Sequence, residues 1–255
     1  MNWCLPGDGV DRGAALARLD PGRWTRRSPM LKPVIVAAAM TLCLGGFNTV
    51  SAENSASAKF SFKPLSVQGL VIRDQVVVGP EFQAKHSIEV PAPFEFRVPR
   101  IEGVLRAALF PEQLGKAYIK ILYGTPEEQF IESIQFNPFK LDPGPLPQRQ
   151  QKLAEFMENV VWAQITNGQG DRKLDAVRTR RLGRFDAVEL IGRYVDVKDS
   201  SNGTVLARVV ALMQDDSPHG LIATINIATS MVEVGNDAAL EDTVSADILE
   251  SVAFQ

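Results

Sequence analysis

The segments "AVRTRRL" (176–182), "AVELIGRYVDV" (187–197), "TVLARVVALMQ" (204–214) and "GLIATINIATS" (220–230) follow one another with apolar and polar side chains in a period of two. That period sends successive side chains to opposite faces, so each segment reads as a strand with one face turned to a core. Only "GRFD", "KDSSNG" and "DDSPH" separate them. Links this short join antiparallel neighbours, because a parallel partner needs a crossover of a dozen residues or more. A four-strand antiparallel meander follows, with Asn202-Gly203 supplying the positive backbone angles of a tight turn.

Other blocks frame the meander. Residues 148–166, "QRQQKLAEFMENVVWAQIT", repeat Leu153, Phe156, Met157, Val160 and Val161 at spacings that form one stripe of a helix. Trp162 falls off that stripe, beside Glu155 and Glu158, and reads either as an exposed binding aromatic or as one covered by the N-terminal segment. At the other end, "NDAALEDTVSADILESVAF" sets Leu240, Val244, Ile248 and Val252 four apart behind Asn236 or Asp237 as cap, a closing helix laid on the sheet. Upstream, "VLRAALF" (104–110) and "KAYIKILY" (116–123) form a hairpin through "PEQLG". Residues 126–136 stay open between helix and strand: "TPEEQF" offers a capping box with Pro126 at the first helical position, whereas "IESIQFNPF" has strand character. Pro91, Pro93 and Pro99 cannot donate to a ladder, so 86–100 is expected to skirt the core as edge strand or loop. Residues 53–59 read as a flexible tail and 60–255 as a single α+β domain.

The leader is a separate matter. Val34 to Leu44 is an uncharged apolar run, preceded by Arg26, Arg27 and Lys32 and followed by Val50-Ser51-Ala52. Spanning a bilayer takes roughly 20 apolar residues. A basic flank, a short apolar core and a small-residue site are the parts of a secretory signal peptide, so 30–52 is expected to be removed near Ala52, with no stable transmembrane anchor. Acylation at Cys43 stays open, although Leu42 stands where a small residue is usual; the Arg26-Arg27 pair is also compatible with twin-arginine export. Residues 1–29 carry scattered Gly and Pro and no period, read as unstructured, and are expected to precede a true translation start at Met30.

From Glu53 onward, 27 acidic side chains stand against 21 basic ones, a balance of −6. A nucleic-acid partner calls for a basic face, so none is expected. Both cysteines, Cys4 and Cys43, precede the cleavage site, which removes disulfides and thiolate metal sites from the processed chain.

The order of hairpin, amphipathic helix, meander and terminal helix ending in "ILESVAF" resembles the PsbP-like family of α/β/α sandwiches, which is named for an extrinsic photosystem subunit and includes exported bacterial proteins of the DcrB type. The phrases that carry the likeness, across 104–255, are "GRFDAVELIGRYV", with a glycine turn before a strand ending in Gly-aromatic, "ARVVALMQDDSPHGLIATINI", and the last helix. The resemblance implies an α+β fold, an antiparallel β-sheet flanked by helices, and a binding or assembly scaffold with no shared catalytic residues to transfer. Residues 60–99 have no counterpart in it.

No catalytic, metal or cofactor site is expected. His86 and His219 lack a second imidazole nearby, and Asp215, Asp216 and His219 in "DDSPHG" are ordinary turn residues. No Gly-x-Ser-x-Gly elbow occurs, "GQGDRK" lacks the spacing of a phosphate loop, and the pairs Glu127-Glu128 and Glu241-Asp242 fit helix starts. Alternation puts Arg178 and Arg180 on one face, and if Arg193 pairs across from them three guanidiniums share a surface able to bind carboxylate or phosphate, unless Asp175, Asp186 and Glu189 neutralise it. The candidate ligand-binding residues are therefore Arg178, Arg180, Arg193 and Trp162. The expected function is a periplasmic or secreted binding or accessory scaffold for an envelope protein or small anionic ligand. The rivals are an envelope hydrolase whose site is assembled from distant residues and an anionic-lipid binder using the arginine face.

Overall fold

The computed structural model describes residues 56–63, 66–197, 202–214 and 217–255. The leader, Cys43, Asp215 and Asp216 lie outside them. In chain order the strands are β1 (Ala56–Ser61), β2 (Ser66–Val78), β3 (Phe94–Arg100), β4 (Leu105–Leu109), β5 (Ile119–Gly124), β6 (Phe130–Lys140), β7 (Gly170–Leu182), β8 (Phe185–Val195), β9 (Thr204–Met213), β10 (His219–Ala228) and β11 (Ala253–Phe254). The helices are α1 (Pro80–His86), α2 (Pro111–Leu114), α3 (Leu146–Phe156), α4 (Trp162–Ile165), α5 (Asp237–Glu241) and α6 (Val244–Glu250), with a π-helical segment, Met157–Val161, joining α3 to α4. This is an α+β protein.

The meander forms as its periodicity requires: β7, β8, β9 and β10 pair in sequence, antiparallel throughout. β6 adds to β10 with Ile134 opposite Ile225, and β5 and β4 follow, giving a seven-stranded sheet in the order β4-β5-β6-β10-β9-β8-β7. The 126–136 segment resolves as a turn followed, from Phe130, by strand. Thr125 and Gln129 close a turn in which Glu128 takes a φ of 64°, and β6 starts at Phe130, where the chain rejoins the ladder. Of Asn202-Gly203, only Gly203 has positive φ, at 59°. The tightest link is instead the two-residue Gly183-Arg184 loop between β7 and β8, with Leu182 opposite Phe185 and Gly183 at φ 55°.

The proline-rich stretch does not skirt the core. Pro91 and Pro93 precede β3, and Pro99 lies next to its last residue, so the intervening backbone is free to pair with β2 on one side and β11 on the other. Phe94, Phe96 and Val98 have no exposed surface. A second antiparallel sheet, β1-β2-β3-β11, results, and β1 begins at Ala56, inside the stretch read as a tail. Phe94 and Phe96 meet Phe136 of the large sheet at ring-centroid separations of 5.4 and 4.8 Å. Burying a side chain of this size is worth about 1.5–3 kcal/mol.

The closing helix is broken in two. Asn236 caps α5 by accepting from the Ala239 N–H. Thr243 then takes an extended backbone and its hydroxyl accepts from Ala246 N–H, which starts α6. The wholly buried Glu132 carboxylate of β6 accepts the Val244 and Ser245 N–H groups, each at 3.0 Å. Leu240, Val244 and Ile248 are buried, as their spacing predicts, while Val252 is buried beyond the end of α6, just before β11.

On the opposite sheet face lies the long helix. Leu153, Met157 and Val161 are buried, but Val160 is not. The π segment is the reason: one extra residue in a turn advances the helix by about 100°, which moves Val160 off the core and swings Trp162 and Ile165 onto it. Trp162 packs with Ile165 against Tyr194, Val205 and Ala207. Its ring occupies the space above Gly192, where an added Cβ would lie 2.5 Å from it. Trp162 is thus covered by the meander itself.

Candidate functional site: a charge network and the cleft beside it

Strand alternation carries Glu189, Ile191 and Arg193 of β8 to the sheet face under α5. Register puts Arg178 opposite Glu189 and Arg208 of β9 opposite Ile191, so both guanidiniums join that face. Glu189 is the hub. Its carboxylate accepts from Arg178 Nε at 2.7 Å, Arg208 Nε at 2.7 Å and Arg180 Nη1 at 3.2 Å. Two carboxylates of α5 complete the set: Asp237 takes Arg178 Nη1 at 2.6 Å, and Glu241 takes Arg180 Nη2 at 3.0 Å and Arg208 Nη2 at 3.1 Å. Three guanidiniums meet three carboxylates.

The centre of this network is dry. The side chain of Glu189 is 0% exposed and that of Arg208 1%. Burial opposes ionisation of Glu189, yet Arg208, Arg178 and Arg180 overcome it and hold its carboxyl below the ordinary value. The hydrogen bond from Arg178 lowers Asp237 as well. An ion pair taken this far from water gives little net stability against an apolar pair, but it cannot lose one partner cheaply. The network therefore ties α5 to β7, β8 and β9.

The sequence-predicted residues divide accordingly. Arg178, Arg180 and Arg193 do share one face. Arg178 and Arg180 line an open groove of about 450 Å³ with Asp237, Ala238 and Glu241, whereas Arg178 and Arg193 border a smaller cavity of about 160 Å³. Each fork is already engaged by a carboxylate of the chain, Arg193 by Asp175 at 2.9 Å. Trp162 lies on the other face and is not brought to this surface. Glu127 and Glu128 sit in the β5–β6 turn rather than at a helix start, and Glu241 ends α5 rather than starting it. Arg208 went unnoticed in sequence, although an arginine in the apolar run "TVLARVVALM" demands a buried acid. His86 is stacked on Phe110 with its Nδ1 2.7 Å from Glu112, and His219 opens β10 beside a turn. Among the described residues, no group of three or more His, Cys, Asp or Glu is placed to hold a metal ion.

Beside the network is a cleft of about 370 Å³. The β7–β8 turn forms one wall with Leu182, Gly183, Arg184 and Phe185. The other wall comes from α5, α6 and β11: Glu241, Ala246, Leu249, Glu250, Val252 and Ala253. Phe185 is set edge-on to Phe254 at 5.3 Å, which fixes the turn against the C-terminal strand. Glu241 belongs to both places, so the network also positions a wall of the cleft.

The chain matches no family model and no curated protein. The solved structures it is similar to include the following three, all distant in sequence. Cyanobacterial PsbP (CyanoP) from Synechocystis sp. PCC 6803 is 10% identical over 73% of this chain and 95% of that one, with a TM-score of 0.44. LpqN, involved in cell envelope biogenesis of Mycobacterium tuberculosis, is 13% identical over 72% and 91%, at 0.41. The Ran-binding protein Mog1p of Saccharomyces cerevisiae is 13% identical over 72% and 95%, at 0.36. CyanoP carries the name of the family that the phrases of the sequence resemble.

Proposed function

We propose that this chain is an exported envelope protein that works as a non-enzymatic binding or accessory module, docking a partner polypeptide at the cleft between the β7–β8 turn and α6. The observation that carries this reading is the chemistry of the cleft: apolar side chains form much of its lining, and the charged groups of the adjoining network are bound to one another. Such a surface offers burial and orientation. Export is supported by Lys32, the apolar run 34–44 and the small residues Val50-Ser51-Ala52; among the described residues, no helix is long and apolar enough to cross a membrane. Docking is tested by placing a photo-crosslinking amino acid at Phe185 or Leu249 in cells. A discrete adduct from these positions, with none from Val160 on the opposite face, is expected; equal adducts from all three, or none, overturn the reading.

A second reading is favoured by the open groove that Arg178 and Arg180 line. An anionic ligand there has to displace Asp237 or Glu241 from the guanidiniums. Arg178→Ala with Arg180→Ala should then weaken binding to anionic lipid vesicles in a salt-dependent way, and unchanged binding eliminates it.

A further inference from the structure

Arg184 and Glu250 stand on opposite walls of the cleft, both exposed, and among the described residues neither is in a salt bridge. Arg184 rests over the Phe185 ring at 5.1 Å, which holds the guanidinium at the rim while leaving its fork open. Glu250 sits at the end of α6 above Leu249 and Val252, which are 4% exposed each. We infer that the cleft seats one apolar side chain of a partner polypeptide whose neighbouring positions carry a base, met by Glu250, and an acid, met by Arg184. This rests on the docking reading above and gives it a chemistry.

Charge complementarity selects the occupant. A phosphate or lipid headgroup entering the cleft meets Glu241 and Glu250 on the helical wall, and only Arg184 faces it from the turn. A polypeptide segment with one basic and one acidic side chain satisfies both rims while an aliphatic or aromatic side chain between them covers Phe185, Leu249 and Val252. The state of Glu250 agrees with this. Burial, followed by the negative charges of Glu241 and Asp247, pushes its carboxyl up, with Arg208 and Arg180 opposing, and an arriving ammonium or guanidinium relieves that repulsion. A volume of about 370 Å³ lies at the small end of ligand pockets, enough for a side chain and its flanks.

The probe is a displayed library of random heptapeptides, selected on the immobilised full chain and on its Arg184→Gln, Glu250→Gln and Glu250→Lys variants. The wild-type chain is expected to enrich peptides with a basic residue, an apolar residue and an acidic residue in close succession. Peptides from that pool should bind Glu250→Gln and Arg184→Gln about two- to fivefold more weakly, the range of a rim ion pair. Glu250→Lys should reselect an acid in place of the base. Both positions are exposed, so the melting temperatures should not move, which separates lost recognition from lost folding. Enrichment that is indifferent to residues 184 and 250 overturns the charge assignment and leaves docking standing. Absence of enrichment over the bare matrix overturns the inference, while the crosslinks at 185 and 249 still decide the docking reading independently.

Discussion

Glu189 and Arg208 meet diagonally across neighbouring strands at 2.7 Å, and both are buried. Replacing Glu189 with Gln leaves the buried Arg208 guanidinium with Glu241 alone as counter-charge, a change expected to cost about 3 kcal/mol in urea unfolding. Glu189→Leu combined with Arg208→Met should recover most of that loss, since Arg178 and Arg180 are partly exposed and can turn to water. A double variant as unstable as Glu189→Gln contradicts this account. The sign with pH follows from the lowered carboxyl. Glu189 stabilises the fold above the ordinary carboxylate pKa, and the contribution disappears as pH falls through its depressed folded value. Melting curves through the acid range should therefore show a shallower loss in Glu189→Gln than in the wild-type chain; parallel curves refute the assignment. In sequence, the common face of Arg178 and Arg180 was legible because period two dictates it, whereas the place of Arg193 depended on a hairpin register that sets it opposite Lys173 rather than across from them. Their destinations were not legible. Asp237 and Glu241 lie far along the chain from Arg178, and no local pattern announces that α5 folds back over β7.

At the scale of elements, the pairing order of the four meander strands was legible, because alternation and short turns admit one order, although β7 already starts at Gly170, ahead of the alternating "AVRTRRL". Three other elements were misread or left open for separate physical reasons. β3 hid behind prolines that fall at the ends of its ladder. The closing helix concealed its break, because Leu240, Val244, Ile248 and Val252 keep a common face across it while Thr243 and the distant Glu132 restart the N-terminus. The long helix kept its stripe only as far as the π segment. The contact of Trp162 with Gly192 is the sharpest test of that last point. Gly192→Val should destabilise the fold by about 1–3 kcal/mol through overpacking. In a Trp162→Ala background part of that cost should vanish; the Lys173 carbonyl, 2.8 Å from the added Cβ, keeps the remainder. Strict additivity in the cycle refutes the contact.

For the whole molecule, the large sheet divides the tasks between its faces. One face is closed by α3, the π segment and α4, while the other carries the second sheet, α5, α6 and the charge network, with the cleft where the β7–β8 turn meets the C-terminal strand. Export belongs to this scale too: a processed protein recovered from the envelope should begin at Glu53 by terminal sequencing, and an intact leader on the envelope form contradicts cleavage. The central claim, that the cleft is where a partner docks, is tested most directly by hydrogen exchange on the processed protein with and without the partner captured by crosslinking at 185 or 249. Protection is predicted at 182–185 and 246–253 with no change at 153–165. Protection confined to 153–165, or unchanged exchange at the cleft in a formed complex, contradicts it.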